Sequence, residues 1–132
     1  MLVLIPAAIC YLYARWLIGE GVGIVSMFEE GRVAGFAVLI PVLRVVGVPI
    51  LEEFYFRELL QREISILFGN AGLTIVAGGI WFAAVHAGIR IPPALIVGLF
   101  SAAARTVAGN LAPCVTTHAL ANLAIEIAAR AV

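Results

Sequence analysis

Long apolar runs with few charges alternate with short polar or glycine-rich breaks along the whole chain. This pattern predicts six helical segments, at residues 2–18, 32–46, 51–68, 73–87, 94–107 and 113–131. The clearest expected breaks are "VGVP" at residues 46–49, whose proline lacks an amide donor, and "GNAG" at residues 69–72. The sequence therefore predicts an all-α protein with about five to six helical segments.

The composition indicates that water is not the main solvent of these helices. Of the 132 residues, 64% are hydrophobic and 12% are charged, and the mean hydropathy is +1.13. Soluble domains contain roughly one-quarter charged residues, whereas a bilayer span needs about 20 mostly apolar residues. We therefore expect one polytopic transmembrane helix bundle over residues 1–132, an integral multi-pass membrane protein surrounded by the lipid bilayer.

The charged residues are evenly balanced between the two signs. All of the basic residues are arginine, all of the acidic residues are glutamate, and the formal net charge is zero. A nucleic-acid partner requires a basic patch, so we expect no nucleic acid. Arginines fall on both sides of the predicted segments, and the positive-inside rule therefore leaves the membrane orientation open.

The third predicted segment contains the charged stretch "EEFYFR" in apolar surroundings. A charge at the centre of a membrane helix costs about 2.5 to 3.5 kcal/mol, so each such residue is a candidate functional group. Glu53 precedes Arg57 by four residues, which is the favourable order for a helical ion pair, and Glu58 and Arg62 repeat this spacing. Glu52 lies well round the helix from Arg57 and is left as the unpaired acid.

Simpler interpretations of these charges stay open at this point. Glu58, Arg62 and Glu63 also suit an interfacial helix whose charges lie in water. Glu52 and Glu53 could instead be acidic residues in a first helical turn, where they oppose the helix dipole.

Two later segments carry histidines inside apolar sequence. The stretch "GGIWFAAVHAG" places Phe82 and His86 one turn apart, and "HALAN" places His118 and Asn122 one turn apart on one face. Either histidine alone could be a hydrogen bond between helices. Three predicted helices each bring an acid or imidazole into apolar surroundings. One shared cavity that contains water would satisfy the hydrogen bonding of these side chains at the lowest cost. A carboxylate, two imidazoles and a carboxamide are the parts of a hydrolytic site.

The motifs "EEFYFR", "FAAVH" and "HALAN", in this order, resemble the signature of the CPBP intramembrane proteases. This family includes CAAX prenyl endopeptidases and bacterial Abi-type proteins, and the similarity covers residues 49–123. The resemblance implies an intramembrane endopeptidase of a prokaryotic cell membrane. Its expected substrate is a membrane-associated peptide or a prenylated-protein-like chain.

The resemblance also implies a role for each motif residue. Glu52 would activate water, and His86 would aid it. His118 and Asn122 would stabilise the oxyanion. Three further residues would support the site, and these are Glu53, Arg57 and Phe82. On this resemblance the reaction needs no metal or other cofactor.

Other mechanisms and other classes of protein remain as alternatives. Two histidines and a glutamate could ligate zinc and leave an open water position, although the His-Glu-x-x-His pattern of zincins is absent. Cys114, one turn before His118, could be a nucleophile. A non-catalytic membrane immunity or adaptor protein is the alternative from a different class, and a small transporter is another, although no inverted repeat is visible.

Overall fold

The computed structural model describes residues 3–22 and 39–131, and within these ranges the protein is helical without any strand. The described part contains five helices: α1 (Leu4–Gly19), α2 (residues 39–68), α3 (Ala71–Ala84), α4 (Ile91–Ala108) and α5 (Ala112–Arg130). A short 3₁₀ turn, Gly88–Arg90, leads into α4. The predicted all-α class is therefore confirmed for the described residues, while residues 32–38 of the second predicted segment lie outside them.

The expected break at "VGVP" is wrong, because α2 continues through it. Along α2, the α-helical pieces Leu39–Val42, Val48–Glu53 and Gln61–Phe68 alternate with the π-helical pieces Leu43–Gly47 and Phe54–Leu60. The hydrogen-bond register changes just before Pro49, which therefore stands in the first turn of a new α-helical piece. A proline is tolerated there because its missing amide would have no intrahelical partner.

The predicted break at "GNAG" is confirmed. Gly69 ends α2 in the left-handed region with φ of 59°, a conformation that glycine adopts without steric cost. The Asn70 side chain then caps α3 by accepting a hydrogen bond from the Leu73 amide at 3.0 Å. At its other end, α3 stops at Ala84 rather than at the predicted residue 87, so His86 lies just beyond the helix.

Small residues allow the helices to pack closely. A Cβ atom at Gly98 of α4 would lie 2.9 Å from the carbonyl oxygen of Gly79 in α3, so the two backbones are in contact there. The second close pair is α1 against α5, which meet in a cluster formed by Ala14, Leu17, Ala128 and Ala129. Both contacts follow the rule that small side chains bring helices together in membranes.

The outer surface of the described helices is apolar. Each helix exposes large hydrophobic side chains, among them Leu12, Leu51, Ile80, Val107 and Ile127. Such extended apolar exposure is unusual for a protein in water and suits contact with lipid. By length and composition, one described stretch, Gly88–Ala108, is able to cross a membrane, and Leu4–Gly19 and Ala71–Ala84 are shorter apolar helices. The multi-pass arrangement therefore stays a prediction.

Candidate active site

A cavity of about 460 Å³ lies between α2, α3, α4 and α5. Its wall includes all four residues that the motifs predict as catalytic, together with the supporting phenylalanine: Glu52, Phe82, His86, His118 and Asn122. The rest of the wall combines apolar residues with charged ones: Arg44, Val45, Val48, Arg90, Pro93, Ala94, Val97, Ile125 and Glu126. The predicted convergence of the three motifs on one cavity is thus present in the structure, whereas the catalytic role of each residue stays a prediction.

The predicted Glu53–Arg57 ion pair is present and is fully buried. Arg57 Nε donates to Glu53 Oε2 at 2.8 Å, and neither side chain is exposed. Arg57 Nη1 donates to Gln61 Oε1 at 3.3 Å, and Gln61 Nε2 donates to the Ala102 carbonyl oxygen of α4 at 3.0 Å. Sequence reasoning missed Gln61, although its four-residue spacing from Arg57 in apolar sequence was the available signal. These contacts fix the charged stretch of α2 against α4.

Glu53 also orients His118. The His118 Nδ1 atom lies 3.0 Å from Glu53 Oε1, and because a carboxylate only accepts hydrogen bonds, Nδ1 carries the proton and donates it. The other ring nitrogen, Nε2, then lies 3.8 Å from Glu52 Oε2. This separation is too long for a direct hydrogen bond. Glu52 Oε2 is a buried oxygen that accepts no hydrogen bond from the described residues, so it is an unused acceptor in the cavity wall.

His86 and Phe82 are connected at the end of α3. His86 Nδ1 lies 2.8 Å from the Phe82 carbonyl oxygen. Because that oxygen is an acceptor, Nδ1 donates and the Nε2 of a neutral His86 ring is free to accept a proton. The Phe82 ring lies 4.9 Å from the His86 ring and 5.4 Å from the His118 ring, centroid to centroid. Phe82 therefore packs between the two imidazoles, as expected of a packing position.

Asn122 ties α5 to the first π-helical piece of α2. Its Nδ2 donates to the backbone carbonyl oxygen of Arg44 at 3.0 Å. A carboxamide nitrogen carries two protons, so one N–H of Asn122 remains for another acceptor in the cavity.

The sequence that forms this cavity matches a model of a known protease family. A family model described as type II CAAX prenyl endopeptidase Rce1-like matches residues 34–124, which is 91 of the 132 residues, and the matched range contains all three motifs. The chain belongs to the Rce1-like family. Members of this family are membrane-embedded CAAX proteases that act on membrane-associated substrates. No curated protein and no solved structure matches the chain.

Two expectations for the charges of α2 are wrong for this Rce1-like protein: the first-turn interpretation of Glu52 and Glu53, and the Glu58–Arg62 pair. Glu52 and Glu53 lie inside α2, so neither is an acid in a first helical turn. Glu58 does not pair with Arg62; its Oε1 lies 2.9 Å from Arg105 Nη2 of α4. Glu58 sits in the π-helical piece Phe54–Leu60, whose wider winding alters which side chains meet along one helix face. The interfacial interpretation suits Arg62 and Glu63, which are both exposed.

The alternative cysteine nucleophile has no support in the geometry. Cys114 is buried, its Sγ donates to the Ser101 carbonyl oxygen at 3.3 Å, and it does not line the cavity. For zinc, no set of three histidine, cysteine or acidic side chains within residues 3–22 and 39–131 is arranged to hold a metal ion. Metal independence itself stays a prediction, to be tested by chelation.

Proposed function

We propose that this Rce1-like protein is a multi-pass intramembrane endopeptidase in which Glu52 activates water to hydrolyse a peptide bond of a membrane-associated, prenylated-protein-like substrate. The observation that carries the proposal is the unused Glu52 Oε2 in the wall of a cavity that also contains His86, His118 and Asn122. Membership of the family supports the reaction class. The position and hydrogen bonding of each side chain support its individual role.

In the first step, Glu52 takes a proton from water while the water oxygen bonds to the carbonyl carbon of the scissile peptide. His86 aids this step because its Nδ1 is engaged by the Phe82 carbonyl oxygen, which leaves Nε2 as a second proton acceptor beside the attacking water. The peptide carbonyl becomes a tetrahedral carbon that bears an oxyanion. Glu52 then returns its proton to the leaving amide nitrogen as the carbon–nitrogen bond breaks.

The oxyanion is stabilised by Asn122 and His118. The Asn122 amide donates its second N–H, because the first is held by the Arg44 carbonyl oxygen. His118 already donates Nδ1–H to Glu53, so it donates from Nε2 only when both ring nitrogens carry protons. Glu53, which Arg57 shares, lies against that imidazolium through its Oε1. Hydrogen bonds from a charged donor are about twice as strong as neutral ones, which suits the charge that develops on the oxygen.

The Glu53–Arg57 pair acts by positioning rather than by chemistry. It holds Glu53 Oε1 against His118 and keeps α2 in contact with α4 through Gln61. If Arg57 were replaced, the reacting side chains would still be present, but they would no longer be aligned with one another. Displacements of about 1 Å are enough to slow an enzyme on the order of 100-fold.

The test compares Glu52→Gln with Glu63→Gln in the full chain reconstituted in lipid. Gln keeps the shape of the side chain and removes the basic carboxylate, so Glu52→Gln should abolish cleavage of a prenylated peptide while the helical circular dichroism is unchanged. Glu63 lies on the same helix, is exposed and does not line the cavity, so Glu63→Gln should cleave at the wild-type rate. Mass spectrometry of the products measures both. Wild-type cleavage by Glu52→Gln would refute the proposed base.

A further inference from the structure

A second cavity, of about 450 Å³, lies at the opposite ends of α3 and α4 from the first. It is formed where α3 begins and where α2 and α4 end, and its polar wall includes Arg57, Arg62, Asn70, Arg105 and Thr106. Three arginines line it, and none of the described residues in its wall is acidic. This composition is unlike that of the first cavity and is typical of an anion site.

The arginines of the second cavity carry more positive charge than their partners neutralise. Arg57 is paired with Glu53 and Arg105 with Glu58. No described residue forms an ion pair or side-chain hydrogen bond with the Arg62 guanidinium, which is exposed at the mouth. Its neighbour Glu63 is exposed and does not line the cavity. Counted over the residues that the structure describes, one positive charge is therefore left at this site.

Two buried nitrogens of the cavity arginines also lack an acceptor within the described part of the chain. The Nε and Nη1 atoms of Arg57 are used by Glu53 and Gln61, but its Nη2 has no partner among the described residues although the side chain is fully buried. The Phe82 ring lies 5.5 Å from Arg57 Cζ, and this contact with the guanidinium face does not satisfy an N–H. Arg105 Nε is the second such donor. Buried donors without acceptors are destabilising. Both nitrogens are closed to water as the side chains stand, so they add positive potential to the cavity wall and no hydrogen bond to a ligand in the cavity.

The beginning of α3 adds backbone donors to the same wall. Asn70 and Ala71 line the cavity, and Asn70 accepts from the amides of Leu73 and Thr74. The amides of Ala71 and Gly72 lie in the first turn of α3, where amides have no intrahelical acceptor. The positive end of the helix dipole favours an anion at this position.

We propose that the second cavity binds a phosphate-type oxyanion, carried by a lipid headgroup or by free phosphate. Guanidinium groups match phosphate oxygens with paired hydrogen bonds. The donors are the guanidinium groups of Arg62 and Arg105, which are both open to solvent at the cavity, together with the first amides of α3. The side-chain hydroxyl of Thr106 is not one of them, since it donates to the Ala102 carbonyl oxygen. In a membrane-embedded protein, helix ends lie level with the lipid headgroups. The proposal does not depend on the peptidase reaction.

The test measures binding to the full chain purified in detergent. The lipid probe is phosphatidylglycerol, diacylglycerol is the matched lipid without a phosphate, and sodium phosphate is the free anion with sodium chloride as its control. Native mass spectrometry counts the bound lipid. Arg62→Gln is the main variant, because Arg62 is exposed and has no ion-pair partner among the described residues, so we expect the bundle to stay intact without it. Arg62→Lys retains the charge, Arg105→Gln is a second site variant, and Arg15→Gln on α1 is the control, since Arg15 lines neither cavity.

We expect wild type and Arg15→Gln to bind phosphatidylglycerol equally, Arg62→Gln to bind it about tenfold more weakly, and Arg62→Lys to lie between them. Diacylglycerol should bind equally to all variants. If sodium phosphate displaces the lipid from wild type, the cavity accepts the free anion; if it does not, the ligand is the headgroup. Lipid binding that is the same in wild type, Arg62→Gln and Arg105→Gln, or no binding of lipid or phosphate, would overturn the proposal.

Discussion

His118 Nδ1 and Glu53 Oε1 lie 3.0 Å apart although they are 65 positions apart in the sequence. This contact gives the two adjacent glutamates of the first motif different environments. Glu53 is fully buried and is occupied by Arg57 and His118, whereas Glu52 lies in the cavity wall with a free oxygen. The environment of Glu53 therefore suits a residue that holds its neighbours in place, and the environment of Glu52 suits a residue that accepts a proton.

Glu53→Gln should destabilise the fold strongly, because it leaves the Arg57 guanidinium buried without a counter-charge. We expect a loss of about 3 to 5 kcal/mol in the free energy of unfolding, measured by denaturant titration in detergent. Glu58→Gln is the matched control, since it breaks a partly exposed pair with Arg105 and should cost about 1 kcal/mol or less. Equal losses in the two variants would contradict the structural role of the buried pair.

Asn122→Ala should lower kcat more than it raises KM, because the lost N–H acts on charge that develops only in the transition state. Removal of one oxyanion donor costs roughly 100-fold to 1,000-fold in kcat. Leu123→Ala is the control, because Leu123 is exposed on the same helix outside the cavity and should leave kcat unchanged. Steady-state kinetics on a prenylated peptide measure both. An Asn122→Ala enzyme with wild-type kcat would exclude this side chain from the oxyanion site.

Zinc chelation discriminates between the two hydrolytic mechanisms. If Glu52 and His86 activate water without a metal, cleavage should continue at the same rate after dialysis against a strong zinc chelator. The measurement is cleavage rate before and after chelation, together with metal content by elemental analysis. Complete loss of activity that added zinc restores, and that other divalent ions do not, would establish the zinc-dependent alternative.

Gly98→Ala should separate α3 from α4. The added methyl group would lie 2.9 Å from the Gly79 carbonyl oxygen and 3.0 Å from Phe82 Cβ, so the helices must move apart. Overpacking of this kind costs about 1 to 3 kcal/mol, and displacement of Phe82 should also lower activity through the two imidazoles that it contacts. The control is Gly19→Ala, because nothing lies within 4 Å of a Cβ there. Thermal unfolding and cleavage assays measure both variants, and the control should have the wild-type unfolding temperature and cleavage rate.

Sequence alone determined the features that depend on local geometry. Apolar runs and the "GNAG" break predict the helices because glycine and asparagine end and start helices through their own backbone and side-chain atoms. The Glu53–Arg57 pair was predictable for the same reason, since a spacing of four residues brings two side chains together on any helix. The three short motifs also indicated the family.

Only the tertiary structure decided the features that depend on how helices wind and pack. The passage of α2 through Pro49 goes with a change from π-helical to α-helical winding just before that residue, which the local sequence does not indicate. Glu58 pairs with Arg105 rather than Arg62, and Glu53 holds His118, because neighbouring helices bring those groups within reach. Helix periodicity specifies which residues share a face, but the partner of that face is chosen by packing over the whole bundle, and contacts 47 and 65 positions apart in the chain follow from that packing.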